Sequence, residues 1–188
     1  MKTTRPYRMA ARAAAAEATR TRILDAAVGA FAELAYDEIT LARVAATAGV
    51  SGQTVINHFG GKDGLMRAAF AHAAAQIESR RNAPEAGDVP ALVAALVDDY
   101  EVIGDAAVRV LALEGRVPGI DEMLAHGRRA HRDWCRAKLG ARDEVLPLVV
   151  AATDVYVWRL LRRDQGLDRD ATARGILRLV APLLDQEV

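Results

Sequence analysis

Residues 40–62 read TLARVAATAGVSGQTVINHFGGK, from Thr40 to Lys62, and this stretch decides the fold. Thr40 is placed to cap a short helix from Leu41 to Ala48, because its hydroxyl can accept a bond from the first helical turn. Gly49 stops that helix, since glycine adopts the left-handed backbone a tight turn requires. Ser51 then caps a second helix, which runs to about Phe59, where Gly60–Gly61 breaks it. Val44, Ala45, Ala48, Val55 and Phe59 fall on facing sides and form a small shared interior. The small alanines allow the two helices to approach closely. This is the layout of a helix-turn-helix, a unit whose second helix enters the major groove of DNA.

With Val55 and Phe59 turned inward, Gly52, Gln53, Ile56 and Asn57 lie on or near the opposite face. That face carries amides and no acid. Glutamine and asparagine amides can pair with adenine, and an exposed apolar side chain can meet a thymine methyl. Gly52 would let the helix end come close to the DNA backbone. Thr40, Thr54, His58 and Lys62 are candidate phosphate contacts, aided by the helix N-termini. Arg43 and Ser51 complete the candidate DNA-binding set of Thr40, Arg43, Ser51, Gly52, Gln53, Thr54, Ile56, Asn57, His58 and Lys62. A structural helical turn unrelated to DNA has the same turn and caps.

Working outward, the rest of the chain reads as helical too. Ile23, Leu24, Ala27, Phe31 and Leu34 form one stripe of a helix from about Glu17 to Ala35. A fourth helix is expected from Lys62 to about Arg81, followed by a linker from Asn82 to Pro90 with two prolines and a glycine. Leu92, Leu96, Tyr100 and Ile103 make the next stripe, with a further short helix around Val108 and Leu111 and a turn at Gly115–Gly119. A polar helix follows from Ile120 to Leu139. From Asp143 to Arg163 the apolar residues cover most of the circumference, which means burial from several sides. Asp168 to Gln186 has a clean stripe. No stretch alternates with the period of a strand, so the fold class is all-α: an N-terminal three-helix helix-turn-helix domain joined to a C-terminal helical domain. The expected division is a basic flexible arm at 1–18, the helix-turn-helix domain at 19–65, and a ligand-binding and dimerisation domain at 66–188.

Composition sets limits on this reading. The 188 residues are half apolar and about a quarter charged, as in ordinary globular chains. The single cysteine, Cys135, rules out an internal disulfide and suits a reducing compartment. The alanine run near the N-terminus holds no leucine, isoleucine or valine and is interrupted by Arg12 and Glu17, so it reads as unprocessed and the expected location is cytoplasmic. The net charge of zero hides an asymmetry: residues 1–62 carry +3 and the remainder −3. A basic end on an acidic protein suits an anionic partner, although a solvated tail has the same charge. Arg5, Arg8 and Arg12 either follow the DNA backbone or enter the minor groove, or add only nonspecific attraction.

Residues 20–70 resemble the DNA-binding domain of the TetR family of transcriptional regulators. The residues that carry the resemblance are Arg22-Ile23-Leu24-Asp25-Ala26-Ala27, Phe31, Thr40, Val44-Ala45, Gly49-Val50-Ser51, Thr54-Val55, His58-Phe59 and Lys62-Asp63-Gly64-Leu65. Val157-Trp158-Arg159-Leu160-Leu161-Arg162-Arg163-Asp164 is similar to the last helices of many members. Two positions depart from the pattern. Ile56 stands where the family usually has a tyrosine that contacts DNA, and Gly61 stands where a serine or asparagine caps the fourth helix. The resemblance implies a homodimer on a near-palindromic operator, with the last two helices at the interface and an effector pocket in the middle helices. Ligand and DNA affinities would then oppose each other. Repression is the commoner role in the family.

The candidate interface residues are Val149, Val157, Leu160, Leu161, Ile176, Val180 and Leu183. The candidate pocket residues are Leu96, Tyr100, Ile103, Met123, Trp134 and Tyr156. His131 and Cys135 stand four apart on one helix, but no third ligand accompanies them, so no metal and no cofactor is expected. No catalytic motif is present, and no catalytic residue is assigned. Asp98, Asp99, Glu101 and Asp105 read as a solvated acidic face, and Asp154 as one half of an ion pair with Arg159, Arg162 or an arginine of a second chain. The alternative to a regulator is an all-helical interaction protein with a vestigial DNA-binding unit, motivated by the replaced tyrosine.

Overall fold

The computed structural model describes residues 4–117 and 119–185, and every regular element among them is helical. The chain divides into two compact units, residues 1–73 and 74–188.

The first unit holds α1 (Thr4–Glu33), a single 3₁₀ turn (Tyr36–Glu38), α2 (Leu41–Ala48), α3 (Gly52–Phe59) and the first part of α4 (Lys62–Arg81). Its core gathers Ile23, Leu24, Ala27, Val44, Ala45, Val55 and Leu65, all nearly free of solvent. The expected stripes are therefore the buried ones. α1 begins at Thr4 and not near Glu17. Residues 9–18, which were expected to form part of a flexible arm, are helical and exposed. Their alanine content explains this, since alanine has the highest helix propensity and needs no core contact to stay helical.

The second unit holds the end of α4, then α5 (Val89–Leu111), α6 (Ile120–Ala137), α7 (Leu146–Ala152), α8 (Val155–Arg159), a π turn (Leu160–Asp164) and α9 (Arg169–Leu184). α5 lies against α8 and α9, and α7 against α6 and α9. Asp88 caps α5 by accepting from the Ala91 amide at 3.1 Å. The helix then continues without interruption to Leu111, so the two helices expected between Leu92 and Leu111 are one.

The expected helix from Asp143 to Arg163 is broken at Thr153–Asp154. The Thr153 hydroxyl donates back to the Val149 carbonyl at 2.7 Å, and Asp154 starts a new helix by accepting from the Tyr156 amide at 2.9 Å. Asp154 is therefore a helix cap, and it forms no ion pair with Arg159 or Arg162 among the described residues. The next turn widens, with the Gln165 amide bonded to the Leu160 carbonyl, five residues back.

The acidic residues of α5 are only in part a solvated face, since Asp98 and Asp105 are exposed but each is ion-paired. Asp98 pairs with Arg169, Glu101 with Arg162, and Asp105 with Arg163, while Asp99 is 1% exposed and holds both Arg80 and Arg81. Three elements, α4, the π turn and α9, bring arginines to one helix, a match invisible to any local window of sequence.

Candidate nucleic-acid interface

α2 and α3 position the candidate DNA-binding residues. Thr40 Oγ1 accepts from the Arg43 amide at 3.2 Å, which fixes the start of α2. Gly49 ends α2 with φ 67°, and the Val50 amide reaches back to the Ala45 carbonyl at 2.9 Å. Ser51 Oγ accepts from the Thr54 amide at 3.1 Å and opens α3. Both expected caps and the expected turn are therefore present. The two glycine-linked helices form a right-sized helix-turn-helix, with Val55 wholly buried beneath α3.

The outer face of α3 is ordered by its own side chains. Gln53 Nε2 donates to Asn57 Oδ1 at 2.9 Å, one helical turn away. Ile56 lies between them and is 42% exposed. The Ser51 and Thr54 hydroxyls bond each other at 2.9 Å. His58 is half-buried against the Phe59 ring. Gly52 has open space where a side chain would be. Arg43 is exposed on α2 and has no ion-pair partner among the described residues.

Lys62 is the exception within the candidate set. Its ammonium donates to the Tyr36 carbonyl at 2.8 Å and sits 3.9 Å from the centroid of the Tyr36 ring. Its positive charge is engaged inside the domain, tying α4 to the turn after α1. The expected phosphate contact would have to compete with that bond.

Four further residues shape the site and are outside the candidate DNA-binding set read from sequence. The Arg20 guanidinium lies 5.5 Å from the centroid of Phe59, at the end of α3. His72 Nε2 and Asp25 Oδ1, 2.7 Å apart, join α4 to α1. A Cβ at Gly64 would run into the Phe59 carbonyl oxygen, so α4 can begin this close to α3 only with glycine there. The signal for Gly64 was its place in the Lys62-Asp63-Gly64-Leu65 run, but nothing local showed what it approaches.

In the second unit the candidate pocket and interface residues scatter. Leu96 is fully buried, and Tyr100 and Trp134 nearly so, while Ile103 and Met123 are half-buried. Tyr156 is 52% exposed, so it does not join the others in the interior. Val149, Ile176 and Val180 have no exposed surface and pack the unit's own core, which removes them as surface contacts. Leu160 is exposed, and Val157, Leu161 and Leu183 are half-buried. Leu148, Tyr156 and Leu179 are exposed large apolar side chains that the sequence pattern did not assign to an interface. A stripe shows which residues are apolar but not how many of them one chain can cover by itself.

His131 and Cys135 belong to an interior hydrogen-bonded group. Arg81 Nη1 is 3.5 Å from His131 Nδ1, His131 Nε2 is 3.0 Å from Thr153 Oγ1, and the Tyr100 hydroxyl donates to the Thr153 carbonyl at 2.9 Å. Burial pushes the Tyr100 hydroxyl up to about 12 and the Cys135 thiol above its ordinary value. No cluster of three metal-ligating side chains occurs among the described residues.

Burial, reinforced by the Arg81 cation, lowers His131 to about 4 from 6.5. The unfolded chain therefore binds a proton near pH 6.5 that the folded chain refuses until about pH 4. Stability is expected to fall as the pH drops through this window, by up to about 3 kcal/mol from this group. Urea unfolding at pH 7 and pH 4.5 tests this. The His131→Gln variant should lose less stability than the parent across that interval, and an equal loss would exclude His131 as the cause.

The fold and this face define a helix-turn-helix unit. Residues 23–69 match the family model described as bacterial regulatory proteins, tetR family. Residues 23–69 are thus similar to the DNA-binding domain of that family, and the chain has the fold of solved TetR-family transcriptional regulators.

Solved structures extend the likeness in fold over most of the chain. A protein from Rhodococcus sp. assigned to the TetR-family transcriptional regulators superposes with a TM-score of 0.70 at 17% identity, covering 89% of this chain and 99% of that one. A transcriptional regulator from Streptomyces coelicolor A3(2) gives 0.57 at 23% identity, covering 86% and 98%. AmtR of Mycobacterium smegmatis gives 0.51 at 20% identity, covering 88% and 86%. No curated protein matches the sequence at a significant level. No helix among the described residues is long and apolar enough to cross a membrane.

Proposed function

We propose that the protein is a ligand-responsive transcriptional repressor that binds a near-palindromic operator as a homodimer and is released by a small-molecule effector. The observation that carries this reading is α3 itself. It is capped at Ser51, anchored by Val55, and presents Gln53, Ile56 and Asn57 to solvent on one face. In a dimer, two such helices would sit about 34 Å apart, one turn of DNA, or a multiple of that. Thr40, Arg43 and the basic N-terminal part of α1 would meet phosphates. The apolar side chains exposed on the last helices, Leu148, Tyr156, Leu160 and Leu179, support dimerisation there, because isolated chains rarely leave several such groups uncovered. The two domains of this reading are the helix-turn-helix domain at 19–65 and the ligand-binding and dimerisation domain at 66–188. The setting is the cytoplasm.

Fluorescence anisotropy tests the reading. DNA flanking the protein's own gene is compared with a scrambled duplex across a salt series. Much tighter binding to the native DNA is expected, with an affinity that falls steeply with salt as phosphate-bound counterions are released. Equal and weak binding to both, repeated on a library of random duplexes, would favour an interaction protein with a vestigial DNA-binding unit. Light scattering of the Leu160→Glu, Leu179→Glu double variant checks the interface. It should be a monomer that binds operator at least tenfold more weakly, the loss expected when half of the contacts must be made separately.

A further inference from the structure

The face of α3 is unusual in what it offers a base pair. Its exposed side chains are two amides and one branched aliphatic group, at positions 53, 56 and 57, one turn of a single helix. It carries no arginine or lysine, the side chains that most often read guanine. His58 is half-buried against Phe59, and the Ser51 and Thr54 hydroxyls are engaged with each other. Lys62 is held by Tyr36.

The two amides are also coupled. With Gln53 Nε2 on Asn57 Oδ1, the Asn57 oxygen keeps one lone pair and its amino group keeps both hydrogens. Those groups match the N6 donor and N7 acceptor of adenine. Guanine presents two acceptors at the same edge, one of which would face the amide oxygen. Ile56, exposed although apolar, lies one residue before Asn57 and three after Gln53. Only one group in the major groove is apolar, and it is the 5-methyl of thymine.

We infer that α3 reads A·T base pairs, with Asn57, steadied by Gln53, on an adenine edge and Ile56 against a thymine methyl in the neighbouring pair. The inference rests on the reading of α3 as a recognition helix and goes further by naming the bases. Ile56 is the specificity-determining contact, and Gln53 is a positioning residue that acts through Asn57.

The test begins with selection of binding sequences from a random duplex library by the full chain. The selected half-sites should hold adjacent A·T pairs. Each thymine is then replaced in turn by uracil, which removes the methyl and keeps the pairing. At one thymine per half-site the change should weaken binding about fourfold, or about fifteenfold when both half-sites are changed, as expected for one buried methyl each. The Ile56→Ala variant should bind the thymine and uracil duplexes equally. Ile56 is exposed, so this variant keeps the fold, which thermal unfolding verifies. In a second arm, Gln53→Ala should relax the preference for adenine at the Asn57 position while leaving the uracil effect in place. Selected sites with G·C pairs under α3, or a uracil effect that persists in Ile56→Ala, would overturn the inference and leave the DNA-binding reading intact. No enriched sequence at all would overturn both.

Discussion

Replacing Gly104 by alanine is expected to destabilise the C-terminal unit by about 3 kcal/mol, at the upper end of what overpacking a core costs. A Cβ at that position would lie within 2.7 Å of Cε3 and Cη2 of Trp158 and closer still to Cζ3. The ring cannot step aside. It is fully buried, its Nε1 donates to Glu101 at 3.0 Å, Tyr100 lies 5.9 Å away centroid to centroid, and the Arg163 guanidinium covers it at 4.8 Å. Both tryptophans of the chain, Trp134 and Trp158, lie in this unit, so urea unfolding followed by tryptophan fluorescence reports on it directly. A midpoint unchanged in Gly104→Ala would show that the helices separate freely at this point. The Gly104→Ala, Trp158→Leu double variant should lose less than the two single losses added together, because the clash is between those two side chains. Its Trp134 signal serves as the probe.

The second large effect is expected at Asp99. Its carboxylate takes Arg80 at 2.6 Å through one oxygen and Arg81 at 2.7 Å through the other, and it is shut off from water. Asp99→Ala would leave the buried Arg81 guanidinium without its counter-charge, which costs about 3–5 kcal/mol in comparable sites. The pair itself is a different matter. Taking two ions out of water nearly cancels their attraction, so the Arg81→Met, Asp99→Leu double variant is expected to recover most of the loss. Thermal unfolding of the two variants separates these effects. A double variant as unstable as Asp99→Ala would mean that the pair stabilises the fold outright. Arg81 also contacts the Tyr100 ring and His131, so its replacement should change the pH dependence attributed to His131 as well.

Asp99 also marks the limit of what local sequence specifies. It follows Leu96 by three residues and so lies on the apolar stripe of α5, which is a visible sign of burial. Its partners, however, are 18 and 19 positions away, and those of Glu101, Asp105 and Asp98 lie 61, 58 and 71 away. Four acids on one helix have the same pattern whether they face water alone or five arginines. Thr153–Asp154 differs in kind. An Asp after a Thr is a helix-start signal, but the continuous run of apolar residues around it masked the cap.

The helix-turn-helix was legible because its determinants are local. Thr40, Gly49, Ser51 and Gly60 act within four residues of themselves, and Val44, Ala45, Val55 and Phe59 needed only the helical period to place them inside. The sequence alone therefore determined the all-helical class, the turn, both caps and the outward face of α3. Tertiary structure decided which charges pair and that Lys62 is spent on Tyr36. It likewise decided that Val149, Ile176 and Val180 belong to the core while Leu160 and Leu179 remain outside. The physical reason is the range of the forces involved. Caps and periodicity are set by hydrogen bonds between near neighbours in the chain, whereas burial and ion pairing depend on which distant helices fill the same space.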